Sequence, residues 1–353
     1  MAIDWSRSLR VSWRHMLVDP ETWLDVRPLS AVVSHDVTWD GSTQELLSSA
    51  IVVDGDLEPW TVVRTWADVE QGGIVERHAV TTVIAAPPKA SSDGTWARLS
   101  ADGLSPLREL SDNEPPVGWS ATGSVKDAIA AICSHMRAPL IPYETAATLP
   151  KPVIAADGDT WLDLLWAVLD AAGLTMRVDG MGRVVVMPAP DTWALGATLT
   201  LSDTDERGVL EAEVTREGDV TGIPNVVEVV ASGYGSSVRA RSVNDDPASL
   251  TSTVRRGWEK VVRETNPDAL LCGSTQAQAD AYAARRLREL SVIERTWSLG
   301  CGYVPVMPGD AVRLVHRRLG ADEVVLVDSV RLSCDTSASL EVCCTSTRAL
   351  WEG

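Results

Sequence analysis

The sequence contains no phenylalanine and little lysine. Of its 31 basic residues only four are lysine, at Lys89, Lys126, Lys151 and Lys260, a bias that points to a GC-rich coding sequence and not to any chemistry. Without phenylalanine, the 14 tryptophans must fill the large-aromatic core positions as well as any surface role. Long apolar runs are also missing. None reaches the roughly 18–20 residues of a membrane-spanning helix, and the longest candidates, Ser49–Asp54 and Arg183–Pro190, have strand length. The opening MAIDWSRSLRVSWRHML alternates arginine with apolar residues. It has neither an apolar h-region nor a small-residue cleavage site, so it does not read as a signal peptide. The expectation is a chain made and folded in a cytoplasm, with no membrane insertion.

Positive charge is scarce. Lys and Arg number 31 against 49 Asp and Glu, a net charge of −18, which argues against a general nucleic-acid binder because phosphate binding needs a basic surface. Residues 1–120 carry 9 basic and 18 acidic side chains, residues 121–190 carry 5 and 7, and residues 191–353 carry 17 and 24.

Signatures of catalysis and metal binding are lacking as well. The six cysteines (Cys133, Cys272, Cys301, Cys334, Cys343 and Cys344) form no C-x-x-C pair, and read as buried free thiols in a reducing compartment. Cys343 and Cys344 point to opposite faces if they lie on a strand. The five histidines (His15, His35, His78, His135 and His316) form no H-x-H or H-E-x-x-H. Gly233–Ser237 has the wrong Ser spacing for a nucleophile elbow. There is no Walker A sequence, and Gly180-Met-Gly182 lacks the third glycine and following helix of a dinucleotide site. Asp54-Gly-Asp56, Asp157-Gly-Asp159 and the Asp203–Gly208 run do not combine Gly at position six with Glu at position twelve, so they read as turns and not calcium loops. No catalytic, cofactor-binding or metal-binding residue is assigned.

At about 150 residues per domain, the 353 residues imply two or three domains. The first 120 residues read as β: Trp23–Val33, His35–Trp39, Glu45–Val53, Trp60–Ala67 and Gly73–Ala86 are rich in Val, Thr and Trp, with turn signals at Asp40-Gly41 and Asp54-Gly55. Residues 87–94 read as an exposed loop, and Pro115-Pro116 marks a boundary. Residues 121–195 read as a small α/β domain. Ser124 caps a helix bearing Val125, Ala128, Ile129 and Ile132 at helical spacing, stopped by Pro139. A strand-like Pro139–Tyr143 follows. Thr160 then caps a second helix with the stripe Leu162, Leu165, Trp166 and Leu169, ended by Gly173. Leu174–Val178 and Arg183–Met187 form a hairpin through Asp179–Gly182. Residues 196–353 return to β, at Leu199–Leu201, Gly208–Thr215, Asn225–Ser232, Val238–Val243, Ile293–Cys301, Ala311–His316, Glu323–Ser333 and Ser339–Cys344. They also hold a polar insertion at 244–272 and an Ala/Arg-rich helix at 275–291, capped by Ser274 or Thr275, with Ala279, Tyr282, Ala283 and Leu287 inward and Arg285, Arg286 and Arg288 solvated.

One repeat stands out. Val37-Thr38-Trp39-Asp40-Gly41 and Val214-Thr215-Arg216-Glu217-Gly218 are both V-T-x-acid-G, and each precedes a further apolar strand, Ser49–Val53 and Asn225–Ala231. Either two hairpins share turn chemistry by chance, or two related β-domains flank the α/β unit. Trp23, Trp39, Trp60, Trp66 and Trp96 fit core or interface positions better than the sheet-face platform of a sugar-binding module.

The order of elements resembles a known family. Gly123–Ile132, the run Thr160–Leu174 with the following Met176–Pro188, the helix Ala277–Leu290 leading into Val304-Pro-Val-Met-Pro-Gly-Asp-Ala-Val-Arg-Leu314, and Pro224–Val227 are similar, in order, to motifs of bacteriophage tail hub proteins of the late-control-D or baseplate-hub-like family. The resemblance implies a β-rich α+β fold in which two tube-like β-barrels flank the small α/β domain. It implies a non-enzymatic minor tail protein, in the virion at the tail tip, assembled in the host bacterial cytoplasm. Three copies would form a hub adapting a sixfold tube to a threefold tip. The implied partners are the distal tail or tail tube protein, the tape-measure protein and tip or fibre proteins. DNA would pass through the lumen without specific binding, which an acidic lumen would favour. Two other classes remain open, a carbohydrate-binding adsorption module and a tail-associated hydrolase.

Overall fold

The structure, a computed structural model, describes residues 3–5, 7, 9–92, 97–203, 210–233, 236–267, 270 and 275–351. In chain order its early elements are β1 (Arg10–Val18), β2 (Asp25–Pro28), β3 (Val32–Asp40), β4 (Leu47–Val53), β5 (Val62–Gln71), β6 (Ile74–Ala85), β7 (Lys89–Ser92), β8 (Ala97–Leu104) and α1 (Arg108–Ser111). Then follow β9 (Ser120–Ala121), α2 (Val125–Cys133), β10 (Leu140–Ile141), β11 (Val153–Ile154), α3 (Trp161–Ala171), β12 (Leu174–Val178), β13 (Val184–Pro188) and β14 (Leu199–Ser202). The remainder is β15 (Leu210–Glu217), β16 (Val226–Gly233), β17 (Ser236–Val243), α4 (Thr253–Arg256), β18 (Val261–Thr265), α5 (Gln276–Leu290), β19 (Val292–Gly302), β20 (Ala311–His316), β21 (Ala321–Ser333) and β22 (Ser339–Ala349). The chain is α+β and β-rich.

The chain divides into two compact units, residues 1–214 with 298–344, and residues 215–297 with 345–353. The boundary falls inside β15, β19 and β22.

In the first unit a large sheet follows the order β15-β19-β22-β21-β3-β4-β8-β6-β5-β1-β2, with β7 on β8 and β20 linking β21 to β14. The sequence reading expects one barrel early and another late. In the structure the two segments meet where β3 pairs antiparallel with β21, from Ser329 opposite Asp40 to Ser333 opposite Asp36. Such a pairing spans almost the whole chain, and no local signal encodes it. The repeated V-T-x-acid-G ends β3 and β15 alike, but the partners differ: β3 forms a hairpin with β4, whereas β15 pairs with β19 and β16 pairs with β17 and β18. Three further readings change. Within residues 87–94, Lys89–Ser92 is an edge strand on β8. The expected strand Trp23–Val33 shortens to Asp25–Pro28, because Trp23 takes a positive φ of 59° and Ala31 one of 61°. β1 and β8 are strands that the sequence reading did not place.

The small α/β portion is built as its caps dictate. The Ser124 hydroxyl accepts the Asp127 N–H, and Thr160 and Asp163 form a reciprocal capping box, each cap being worth about 1 kcal/mol. α3 buries Trp161, Leu162, Leu164, Leu165, Val168 and Leu169, a broader face than the expected stripe. Trp166 is only half-buried, and its indole N–H donates to the Gln44 carbonyl. β12 and β13 pair as the expected hairpin, with β10 parallel to β13.

The tip of that hairpin docks on β5 and β6. The Thr82 hydroxyl donates to the Gly180 carbonyl at 2.9 Å, and the Met181 carbonyl accepts from the Trp23 indole at 2.7 Å and from Arg64 at 3.1 Å. Arg64 is only 1% exposed. Its guanidinium also reaches Asp25 at 2.6 Å, the Trp23 carbonyl at 3.1 Å and the Thr82 hydroxyl at 3.0 Å, partners that offset part of its desolvation, which still pulls its pKa below the ordinary arginine value.

In the second unit β17, β16 and β18 form a three-stranded sheet. α5 covers one face, with a core of Val227, Val229, Ala231, Ala240, Leu270, Ala279, Ala283 and Leu287. The expected stripe of α5 is therefore inward, with Tyr282 half-buried and its hydroxyl donating to Glu264. The other face carries an ion-pair ladder: Glu228 meets Arg263 at 2.7 Å and Arg241 at 3.3 Å, and Arg241 meets Glu259 at 2.5 Å. The insertion at 244–272 is not merely polar connection. It contains α4 and β18, the latter pairing parallel with β16 across some 35 residues of sequence.

A methyl group at Gly180 would lie 1.9 Å from the Ala79 carbonyl oxygen. Gly180→Ala is therefore expected to lift the hairpin tip and cost on the order of 2–4 kcal/mol. Urea unfolding checks this; a midpoint unchanged from wild type would show that the docking is not tight.

Candidate interaction surface

β1 alternates: Arg10, Ser12 and Arg14 are exposed, while Val11, Trp13 and His15 are half-buried. It pairs with β5 from Arg10 to Val18, but β2 covers its other side only opposite Met16, Leu17 and Val18. The His15 carbonyl points to that other side, where it accepts the Leu29 N–H at 2.8 Å. Backbone groups alternate along a strand, so those of Val11 and Trp13 point the same way. No backbone partner meets them among the described residues.

Along this open edge runs a groove of about 1510 Å³, whose far wall comes from the 28–33 and 334–338 segments and Tyr303. The Trp13 indole N–H donates to the Asp335 carbonyl at 2.6 Å, and its ring stands edge-on to Tyr303 at 5.6 Å. The rim is basic in an acidic chain. Arg14 and Arg77 share the buried Asp68, at 2.5 and 2.6 Å, and hold its carboxyl below the usual range against the opposing desolvation. Arg7 pairs with Asp4 at 3.1 Å. Arg10 has no ion pair among the described residues. The sequence signal was the alternation itself, taken there only as evidence against a signal peptide.

Behind β1 the sheet curls until β1 and β3 meet. His15 and His35 lie with ring centroids 5.5 Å apart, and both Nδ1 atoms reach the Thr65 hydroxyl, at 3.0 and 2.9 Å. One ring donates to that oxygen while the other accepts from it. Burial pushes His15 down to about 4 and His35 to about 3, the latter helped by His15.

The remaining histidines are scattered. His78 lies 3.7 Å from Glu76, His135 stacks on Trp161 at 3.9 Å, and His316 lies 3.8 Å from Asp203. Among the described residues no three His, Cys, Asp or Glu side chains converge. Cys133, Cys301, Cys334 and Cys344 are buried and Cys343 half-buried, all as free thiols, so Cys343 and Cys344 do face opposite ways. Burial pushes Cys133 and Cys301 up to about 12, and also raises Cys334 and Cys344. Asp54-Gly-Asp56 and Asp157-Gly-Asp159 lie outside helices and strands, as read. Trp23 and Trp39 are buried, and the Trp66 indole donates to Asp25, whereas Trp60 is exposed. Trp96, Cys272, Ser274, Tyr234 and Gly235, and residues 204–208 of the Asp203–Gly208 run lie outside the described residues. Thr275 is the cap of α5. A second, largely apolar cavity of about 360 Å³ lies between the β12–β13 hairpin and the 307–309 turn, lined by Met176, Met187 and Met307.

No family model matches the sequence, and no curated protein matches it. Solved structures do. The chain is similar to a tail protein from Neisseria meningitidis, with 17% identity over 95% of this chain and 97% of that one, at a TM-score of 0.57. It is similar to the 43 kDa tail protein of prophage MuSo2 from Shewanella oneidensis, with 13% identity, 94% and 97% coverage and a TM-score of 0.57. It is also similar to a chain of the Francisella PdpA–VgrG complex, with 8% identity over 96% of this chain and 58% of that one, at a TM-score of 0.56. The chain has the fold of these phage tail proteins.

The histidine pair sets a pH dependence. Both folded-state values lie below the ordinary 6.5, so the unfolded chain takes up protons first as pH falls. The stability they contribute is whole above pH 6.5 and is lost as pH drops toward the folded values. Between pH 7 and 5 the two together should remove about 3–4 kcal/mol. Urea unfolding at the two pH values measures the drop, and His35→Gln should remove about half of it. An unaltered drop in that variant would contradict the assignment.

Proposed function

We propose that this chain is a structural hub protein of a phage or phage-like tail. One observation carries the reading: its fold matches that of tail proteins along nearly the whole length of both chains. In this reading three copies form a ring at the tail tip. The β segment before residue 121 and the one after residue 195 each supply one barrel-like position, so that three chains offer six positions to a sixfold tube. Partners are then the distal tail or tube protein on one side, tip or fibre proteins on the other, and the tape-measure protein inside.

The charge of −18 supports this role. Acidic side chains facing a channel repel DNA phosphates and let the genome pass without sticking. The chain acts here as scaffold and not as enzyme. The open β1 edge supports assembly, since an unpaired strand edge is a template for a neighbouring strand.

The purified protein is expected to run at three times the 37.9 kDa of one chain and to show a threefold ring with a central hole in negative-stain images. A monomer at every concentration, or an assembly without a hole, would overturn the reading. Glycan binding lost on single Trp→Ala changes in a stable monomer would favour an adsorption module instead.

A further inference from the structure

We propose that copies of this chain join edge to edge, with β15 of one copy adding as a strand to the open side of β1 in the next. The inference rests on the hub reading for the number of copies; which edges meet is argued from the sheet itself.

Among the described residues β2, β7, β14 and β15 each have one strand neighbour, and two open edges of the sheet match in chemistry, that of β15 and the part of β1 beside the groove. Among the described residues β15 ends the strand order with β19 as its one strand neighbour, and β1 is bare from Arg10 to Arg14 beside the groove. The two strands are of nearly equal length, 8 and 9 residues. Their alternations match on both faces. On one face β1 carries Arg10 and Arg14, and β15 carries the exposed Glu211, Glu213 and Glu217. On the other, β1 presents Val11 and Trp13, and β15 the half-buried Leu210 and Val214, with the exposed Arg216 beyond them. A strand laid along β1 satisfies the outward N–H and C=O groups of Val11 and Trp13 while setting opposite charges and apolar side chains against one another.

The same charges select against the wrong pairings. β1 against β1 sets arginine on arginine, and β15 against β15 sets glutamate on glutamate, so only the unlike edges attract. Unlike edges make a head-to-tail contact, which closes into a ring when the rotation per copy allows. Among the described residues Arg10 forms no ion pair, although Glu70 stands opposite it on β5, so its guanidinium can take a carboxylate from the incoming strand.

The test is a charge swap read by sedimentation velocity and light scattering. Arg10→Glu and Glu213→Arg should each weaken assembly by about tenfold or more at moderate salt, and the double variant should recover to within about threefold of wild type. Val11→Pro, which removes an outward N–H without touching the bonds to β5, should also dissociate the assembly. Thermal melts of every variant establish that the fold is kept. A wild-type ring with silent charge reversals, or a double variant no better than the singles, overturns the edge assignment and leaves the hub reading standing. A wild-type chain that never associates overturns both.

Discussion

The contact on which the first unit depends is a single buried guanidinium closed over by a hairpin tip. Arg64 is the third residue of β5, flanked by Val62, Val63 and Thr65, and is 1% exposed. A charge so placed is tolerable only when it is fully hydrogen-bonded. Two of its partners are backbone carbonyls, of Trp23 and Met181, which belong to different parts of the chain. The hairpin can supply its carbonyl only by coming within contact of β6, and that approach leaves no space for a side chain at residue 180. The glycine that sequence inspection weighed, and set aside, as part of a nucleotide-binding loop thus serves close packing.

The same guanidinium shapes the surface. It holds Asp25, whose second oxygen accepts the Trp66 indole, and thereby fixes the start of β2. β2 is then short, covering β1 only from Met16 to Val18. The bare edge from Arg10 to Arg14 follows from where β2 is pinned.

What was legible in the sequence was whatever is encoded locally. The caps Ser124, Thr160 and Thr275, the stripe of α5 and the β12–β13 hairpin each rest on residues within a few positions of one another, and each formed as read. What was not legible depends on partners distant in the chain. β18 lies inside a stretch read as polar connection, because Val261–Thr265 becomes a strand only by pairing with β16. β8 has the weak β-former sequence ARLSADGL, yet it is held between β4 and β6. There Gly103 lets the Ser49 hydroxyl and Val83 approach to where a side chain would stand. The repeated V-T-x-acid-G encodes a strand end and a turn and no more, so identical local chemistry leads to different pairings. The interaction surface was hidden for a related reason: arginines alternating with Val, Trp and His look like a solvated face until the strand beside them is known to be missing.

An open sheet edge is ordinarily an aggregation hazard, because it can template another chain. Natural edges are blunted with proline, bulges or charge. Here β1 carries no proline from Arg10 to Val18 and β15 none from Leu210 to Glu217, so charge is the remaining device. A single sign on both margins would keep copies apart. Opposite signs do something else: they forbid each edge from meeting its own kind while permitting it to meet the other. The ladder of Glu228, Arg241, Arg263 and Glu259 in the second unit shows the contrast, since those charges are satisfied within one chain and need no partner. Arg10 lies on an open edge, opposite Glu70 of β5 and without an ion pair among the described residues, so in a chain of net charge −18 it fits a site that a second strand completes.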